Sequence, residues 1–282
     1  MRMMSLFLSR HNPGPELSPQ LRQRLPQSRP GEQKNRLEFS SGKSSTMTIR
    51  GKLQRPPVIR LDGVSIRSVA SAPVLGVELD GSLLFSRHAQ GIVDRAAKCF
   101  GKMSCVSASS WGIRFPDLRI LYHGTFVATL VYAASCWYAR VKVQAISGTL
   151  LRGQRPALVL LTNAYLSVST AALPVLAGVL PADLEVYRAG WKEAAHKATP
   201  KAEMCRLLRE IRDSVIVLWQ NRWETETKGR ELHMFFPDVA GRLSMCWVAP
   251  DYETSQILTG HGCFNKRLSD MRLRDDSACK CG

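Results

Sequence analysis

The stretch Val74-Leu75-Gly76-Val77-Glu78-Leu79-Asp80 carries the strongest structural signal in this chain. The stretch contains Gly76 and is followed directly by Gly81, and an amphipathic helical pattern begins shortly afterwards. Glycine adopts the positive φ of a tight turn without a steric penalty. The stretch therefore predicts a strand or tight hairpin that leads directly into a helix.

The helical pattern begins at Ser86, whose hydroxyl can accept a hydrogen bond from a backbone N–H of the first turn. Apolar residues then recur at helical spacing, namely Ile92, Val93, Ala96, Ala97, Phe100 and Met103. The opposite side carries Arg95, Lys98 and Lys102. We predict a helix with one packed face and one basic face. The basic face is either simply solvated or in contact with phosphate.

The chain before the predicted helix at Ser86 contains two parts that differ in composition. Residues 1–36 are rich in Pro, Gln, Arg and Ser, and we predict that they are disordered because they cannot bury enough apolar surface. The apolar run in Met1–Arg10 is too short for a secretory signal peptide. From Met47 to Leu84, short β-rich pieces alternate with Gly and Pro, which predicts a small antiparallel meander.

Two stretches without formally charged residues, Ile120–Ala139 and Ala157–Ala182, are long enough for membrane-spanning helices. Both stretches contain polar residues that disfavour insertion into a membrane. A helix that is apolar on all sides can also be the buried helix of a bundle. We therefore expect a buried helix at Ile120–Ala139. In the second stretch, Gly178 followed by Pro181 marks a helix end and a restart.

Two longer helical patterns follow, at Pro181–Lys197 and Lys201–Thr227, and Pro200 separates them. The apolar stripe of the second consists of Met204, Leu207, Leu208, Ile211, Val215 and Leu218. Arg206, Arg209 and Arg212 lie outside this stripe. Together these patterns predict a mainly α fold with a small antiparallel β piece.

Composition limits the class of partner. With 282 residues, 45% of them hydrophobic, the chain can form one or two packed cores. The formal net charge of +16 indicates a polyanionic partner. The eight cysteines form no evident paired framework, so reduced thiols and a nuclear or cytoplasmic location are expected.

The hairpin and its helix resemble the primer grip and first thumb helix of reverse transcriptases from non-LTR (LINE-type) retrotransposons, most closely the insect type that inserts into ribosomal DNA. The resemblance runs from about residue 37 to the end, and its specificity lies in the order of its blocks. These blocks include Ser41–Ile49, Arg55–Val69, Trp111-Gly112, Tyr132-Ala133-Ala134, Gln154-Arg155, Val175–Gly178, Leu258–Gly262 and Cys279–Gly282.

This resemblance implies a domain order for the chain. Residues 37–85 would be the C-terminal β remnant of the palm, with a hairpin like the primer grip. Residues 86–150 would form a helical thumb, and residues 151–282 a helical linker region that ends in an incomplete zinc motif.

The resemblance also implies RNA-directed DNA synthesis in the complete enzyme, with an RNA template and a DNA primer or target as partners. That chemistry needs clustered carboxylates to hold Mg²⁺. The family places them in an aromatic-Ala-Asp-Asp turn, whereas the only adjacent aspartates here are Asp275-Asp276 in a charged segment. We therefore expect no retained cofactor and no polymerase activity.

Several residues are candidate contacts to nucleic acid, either through the resemblance or through their place on a basic helical face. By the resemblance, Lys43 corresponds to the palm lysine near the incoming nucleotide, but without the metal site we expect it to be simply an exposed lysine of a turn. The remaining candidates are Leu75, Gly76 and Val77 in the hairpin and Lys98, Lys102, Arg206 and Arg272 on basic helical faces. The last belongs to an amphipathic helical pattern at Lys266–Arg274.

Cys279 and Cys281 are the candidate metal ligands, because the family ends in a Cys-Cys-His-Cys zinc motif. A structural zinc site needs four ligands. His261 and Cys263 could complete the set, but we expect His261 to pack a turn and the tail to hold no Zn²⁺.

Two alternatives remain open at this point. The chargeless stretches could belong to an integral membrane protein with two helices, although no membrane contact is expected from the resemblance. The chain could also be a translated relic without function.

Overall fold

The computed structural model describes residues 40–49, 58–61, 63–102 and 113–278. The chain divides after Phe85 into two compact units, called here the N-terminal unit and the C-terminal unit. The segment predicted to be disordered, residues 1–36, lies outside the described residues.

The N-terminal unit is built from short strand pairs. Its strands are β1 (Ser45–Thr46), β2 (Arg60–Leu61), β3 (Val64–Ser65), β4 (Arg67–Ser68), β5 (Ser71–Val74) and β6 (Val77–Asp80). β2 pairs with β3, and β5 with β6, both antiparallel. β1 pairs with β4 in parallel, which the predicted meander did not include. A parallel pair is possible here because β1 and β4 are not consecutive along the chain.

The C-terminal unit is helical. Its α-helices are α1 (Ser86–Gly101), α2 (Phe115–Leu121), α3 (Ala128–Leu130), α4 (Gln144–Thr162), α5 (Ala172–Ala177), α6 (Ala182–Ala198), α7 (Lys201–Thr225), α8 (Arg230–Phe235), α9 (Val239–Ser244), α10 (Tyr252–Thr259) and α11 (Asn265–Asp270). The described chain is therefore mainly α with a small β piece, as the sequence predicts.

Local sequence signals predicted several helix boundaries correctly. α1 begins at Ser86, and its Ile92, Val93, Ala96 and Phe100 are buried. Gly178 ends α5 with a φ of +63°, a conformation that glycine adopts without strain. Pro181 and Pro200 occupy the N-cap positions of α6 and α7.

The apolar stripe of α7 differs from its prediction at Leu218, which is 43% exposed. Met204, Ile211 and Val215 are buried as predicted, but the stripe then continues through Trp219 and Trp223. Successive steps of four residues keep these side chains on one face of the helix. Leu218 therefore belongs to a second, uncovered apolar face of α7.

The prediction of one buried helix at Ile120–Ala139 is wrong. α2 passes into a π-helical turn at Tyr122–Val127, the helix ends at Leu130, and Ala133 adopts a φ of +49°. Ile120 is 69% exposed. Absence of charge alone carries no information on helical periodicity. None of the helices in the described ranges combines the length and the apolar character that crossing a bilayer requires.

The amphipathic helix predicted for Lys266–Arg274 is also shorter than expected. α11 ends at Asp270, and Arg272 has a φ of +58°. Met271 and Leu273 are 58% and 66% exposed. Because these apolar side chains are largely exposed, a continuous helix here would gain little packing energy.

α1 and α4 pack closely at Gly153. An added Cβ at Gly153 would lie 1.9 Å from Cγ1 of Val93. Val93 is buried and β-branched, so it cannot rotate away at low cost. The close contact between α1 and α4 thus requires a glycine at position 153.

We predict that Gly153→Ala destabilises the chain by about 1–3 kcal/mol, because the added methyl group must displace Val93 or separate the helices. Gly148→Ala is the matched control, since nothing lies within 4 Å of an added Cβ there. The control should gain about 0.5–1 kcal/mol from helix propensity. Urea unfolding measures both, and equal changes in the free energy of unfolding would contradict the close packing.

Candidate nucleic-acid interface

The β5–β6 hairpin has a two-residue turn at Leu75-Gly76. Val74 pairs with Val77, and the φ angles of Leu75 and Gly76 are +48° and +83°. Positive φ at both central positions is the arrangement that matches the twist of paired strands. Leu75 is unusual there, because a leucine side chain is strained in this region. The turn therefore holds a strained apolar residue at its tip, where Leu75 is 84% exposed.

The three predicted hairpin contacts differ in accessibility. Leu75 and Gly76 are exposed at the turn, whereas the side chain of Val77 is buried at 6% exposure. Side chains alternate between the two faces of a strand, so Val77 points away from the face that Glu78 occupies. A ligand that binds this turn would therefore meet the side chain of Leu75.

Asp80 controls the path of the chain after the hairpin. Its Oδ1 accepts hydrogen bonds from the backbone N–H groups of Ser82 and Leu84, each at 3.0 Å. Its Oδ2 accepts from the N–H of Phe85 at 2.7 Å. Leu83 and Phe85 both have positive φ angles, of +52° and +62°. The carboxylate therefore stabilises a strained loop that connects the hairpin to the first residue of α1.

The role of Asp80 was missing from the sequence prediction. A local signal exists, because an aspartate before Gly-Ser is a residue that accepts hydrogen bonds from the backbone just after it. The sequence shows that such a turn forms, but not that the carboxylate reaches as far as Phe85.

The outer face of α1 is basic. Arg95 and Lys98 on α1, and Lys102 directly after its last residue, are exposed, as predicted. Asp94 is exposed among them and accepts a hydrogen bond from Nε2 of Gln90 at 2.8 Å. These four residues form a strip of net positive charge along the helix that follows the hairpin.

Lys43 lies just before β1 in the N-terminal unit. It ends a short 3₁₀ turn at Ser41–Lys43, and its side chain is exposed. The strand that follows it leads to Thr48, whose carbonyl oxygen would lie 2.7 Å from a Cβ added at Gly81. Glycine at this position permits the two backbones to approach closely.

The other two candidates, Arg206 and Arg272, lie on separate elements of the C-terminal unit. Arg206 is on the outer face of α7 and forms an exposed ion pair with Glu210 at 3.4 Å. Exposed pairs of this kind contribute little to stability. Arg272 follows α11 and is exposed. Since α1 packs chiefly on α4, and α7 packs on α6, the lysines of α1 and Arg206 are carried by different helix pairs.

The predicted metal ligands Cys279 and Cys281 lie outside the described residues. Nδ1 of His261 forms a hydrogen bond of 2.8 Å with Oγ of Ser167, so His261 packs against the loop after α4. Burial lowers the pKa of His261, and the nearby Arg267 acts in the same direction. Among residues 40–49, 58–61, 63–102 and 113–278, no three His, Cys, Asp or Glu side chains are grouped to hold a metal ion.

Asp275 and Asp276 are exposed, as expected of a solvated segment. Oδ1 of Asp276 accepts a hydrogen bond from the N–H of Ala278 at 2.8 Å. The two residues therefore do not form part of a carboxylate cluster in the described chain. Within the described residues, no group of carboxylates fits the Mg²⁺ site of a polymerase.

Sequence comparison identifies the relatives of this chain. It is 33% identical over 237 residues to a Pol polyprotein of type-1 retrotransposable element R1 4 from Nasonia vitripennis, across 79% of this chain and 59% of that protein. An R1 Pol polyprotein of Bradysia coprophila is 34% identical over 261 residues, across 86% of this chain and 26% of that protein. Another from Nasonia vitripennis is 30% identical over 266 residues, across 87% of this chain and 78% of that protein.

The chain belongs to the R1 retrotransposon Pol polyproteins. It spans 59% and 26% of the length of the first two relatives, so these polyproteins contain further sequence that the match does not include. No family model and no solved structure matches the chain significantly. Family membership in R1 thus agrees with the resemblance found in the ordered sequence blocks.

We predict that Asp80→Ala opens the loop after the hairpin, because three backbone N–H groups lose their charged acceptor. Chymotrypsin cleavage after Leu84 and Phe85 should become about ten- to a hundredfold faster, as expected when hydrogen bonds to a charged group are lost. Asp94→Ala is the control, because its carboxylate is exposed and, among the described residues, accepts a hydrogen bond from Gln90 alone. Equal cleavage rates in both variants would show that Asp80 does not hold the loop.

Proposed function

We propose that this chain is the part of an R1-type reverse transcriptase that grips primer and template. The observation that carries this proposal is the exposed Leu75-Gly76 turn, which leads through the Asp80 loop directly into a helix with a basic outer face. A tight turn can approach a nucleic-acid backbone closely, and the lysines after it can neutralise phosphates. Membership in the R1 family supports the same role.

The contacts in this proposal are not sequence-specific. Lys43, Lys98, Lys102, Arg206 and Arg272 are exposed cations, which bind phosphate without reading base identity. Leu75 and Gly76 would contact the primer strand, and Val77 would support the turn from its buried position. The expected partners are an RNA template and a DNA primer or target, in the nucleus or cytoplasm.

The complete enzyme of this family would use Mg²⁺ to transfer a nucleotide to the primer end. This chain has no aromatic-Ala-Asp-Asp turn, and its only adjacent aspartates are Asp275 and Asp276. We therefore propose that it binds nucleic acid without extending it. Magnesium-dependent extension of a primed template by the purified chain would contradict this part of the proposal.

The salt dependence of binding tests the basic face of α1. In filter binding to a primed RNA template, Lys98→Ala with Lys102→Ala should reduce the slope of log affinity against log salt by about 1–2, because about one counterion is released per phosphate contact. Affinity at low salt should fall in parallel for unrelated sequences. Lys192→Ala with Lys197→Ala is the control, since both lysines are exposed on α6 and removal changes the net charge equally. An equal loss of slope in the two double variants would place the contact elsewhere.

A further inference from the structure

A groove between α6 and α7 lies within the C-terminal unit and contributes none of the contacts proposed above. It has a volume of about 910 Å³, which is within the range of ligand-binding clefts. α6 contributes Asp183, Tyr187 and Trp191 to its lining, and α7 contributes Val217 and Leu218. Steps of four residues place the three α6 side chains on one face of that helix, so they form a continuous wall.

Aromatic rings line the α6 side of the groove. The ring centroids of Tyr187 and Trp191 lie 5.7 Å apart, and both side chains are half-buried. Tyr138, from the 3₁₀ turn before α4, continues the row with its ring centroid 5.8 Å from that of Tyr187. On the α7 side, Val217 and Leu218 are 56% and 43% exposed. A planar ring that enters the groove can therefore lie between aromatic and aliphatic side chains, an arrangement that binds nucleobases.

The charges of the groove balance. The charged side chains that line it, together with the ion-pair partner of Glu210, are Lys142, Arg206, Arg222, Asp183, Glu210 and Asp213. Arg222 pairs with Asp183 at 2.7 Å, and Arg206 pairs with Glu210 at 3.4 Å. Three cations thus face three carboxylates, and the set is formally neutral. A neutral lining favours an uncharged ring over a phosphate group or a charged peptide.

Asp183 supplies an independent sign of a missing donor. It is buried at 1% exposure, and its Oδ2 accepts hydrogen bonds from Arg222 and from Oγ of Ser147, each at 2.7 Å. Its Oδ1 is also buried, but no residue of the described chain donates a hydrogen bond to it. A buried carboxylate oxygen without a donor is costly, so the groove favours an occupant that brings an N–H group.

An unpaired guanine base has the complementary chemistry. It is planar and uncharged, and its Watson–Crick edge carries the neighbouring N1–H and N2–H donors. Uracil and thymine present a single N–H between carbonyl oxygens, which a carboxylate repels. Adenine and cytosine present an amino group beside a ring nitrogen that accepts hydrogen bonds. Among the common bases, guanine therefore offers the best donor edge to the carboxylate of Asp183.

We propose that the α6–α7 groove binds an unpaired guanine base of a single-stranded nucleic acid. The base stacks on Tyr187 and Trp191, with the aliphatic side chains of α7 on its other face, and its N1–H donates to Oδ1 of Asp183. Arg222, half-exposed beside Asp183, shifts to admit the base, and the phosphates stay outside the groove near Lys142. This inference deepens the proposed function and rests on it, because the base belongs to the strand that the chain binds.

A preference for guanine is the first readout of the test. Fluorescence polarisation measures the affinity of the full chain for a short oligouridylate and for the same strand with one central guanine. The guanine-containing strand should bind about tenfold more tightly, as expected for one matched hydrogen-bonded base. Oligothymidylate with and without a guanine forms the DNA arm, and the strand type that shows the preference identifies the source of the base. Equal affinities with and without guanine in both arms would overturn the proposal.

Matched variants locate the site. Trp191→Leu removes the stacking ring but keeps an apolar side chain, and should lower the affinity for the guanine-containing strand about tenfold. Trp247→Leu is the control, because Trp247 is a tryptophan outside the groove at 77% exposure, and should leave the affinity unchanged. Asp183→Asn should remove the preference for guanine. Far-ultraviolet circular dichroism verifies folding, and Trp191→Leu decides the outcome if Asp183→Asn does not fold.

A photo-crosslink and a second set of variants separate this inference from the proposed function. Thioguanine in place of the guanine should crosslink to α6 or α7 in the groove, and crosslinks elsewhere would overturn the inference. Lys98→Ala with Lys102→Ala tests the proposed function, because neither lysine lines the groove. If this double variant weakens binding of a primed template while the guanine preference is absent, only the groove inference is wrong. If the preference depends on Trp191 but the double variant binds normally, nucleic acid binds in the groove and not on α1.

Discussion

The side chain of Gln154 is the polar centre on which the packing of the C-terminal unit depends. Its Nε2 donates to the phenolic oxygen of Tyr122 at 2.8 Å and to the carbonyl oxygen of Leu180 at 2.9 Å. Its Oε1 accepts from the N–H of Ala182 at 2.8 Å. One fully buried amide thus joins α4 to the π-helical turn and to the start of α6. Gly153, the residue before it, provides the close contact of α4 with α1.

Two arginines complete this arrangement at the end of α5. Nη2 of Arg242 donates to the carbonyl oxygen of Leu176 at 2.7 Å, and Nη2 of Arg119 donates to that of Gly178 at 2.8 Å. Burial lowers the pKa of Arg242 to about 10, and the charge of Arg119 adds to the effect. Arg242 therefore remains charged at neutral pH, and its positive charge stabilises the C-terminal end of α5.

The sequence predicted those features that depend on local signals. Gly178, Pro181 and Pro200 each determine a helix boundary through their own backbone conformation, whereas Ser86 is the first residue of α1 and makes no capping hydrogen bond within the described chain. The exposed face of α1 followed from periodicity, and the hairpin turn from Gly76. The buried state of Val77 and the exposed state of Leu218 depend on neighbours distant in the chain, which periodicity does not reveal.

Features that join distant segments were not predicted. Gln154 bonds groups 26 to 32 residues away, and Asp183 bonds Ser147 and Arg222. Such partners are chosen by packing, so neither residue type nor spacing identifies them. The charge-free stretch at Ile120–Ala139 was wrongly predicted as one helix for a related reason, because composition does not specify where a helix breaks. The structure describes the hairpin turn and the exposed side chains of α1. Their contacts with nucleic acid remain predictions.

If nucleic acid binds at the hairpin turn and along the outer face of α1, it should protect the backbone there. Hydrogen–deuterium exchange of the full chain, with and without a primed RNA template, measures this protection. We expect slower exchange of the backbone amides at Leu75–Val77 and Arg95–Lys102 when the template is bound. Binding accompanied by unchanged exchange in both segments would contradict it.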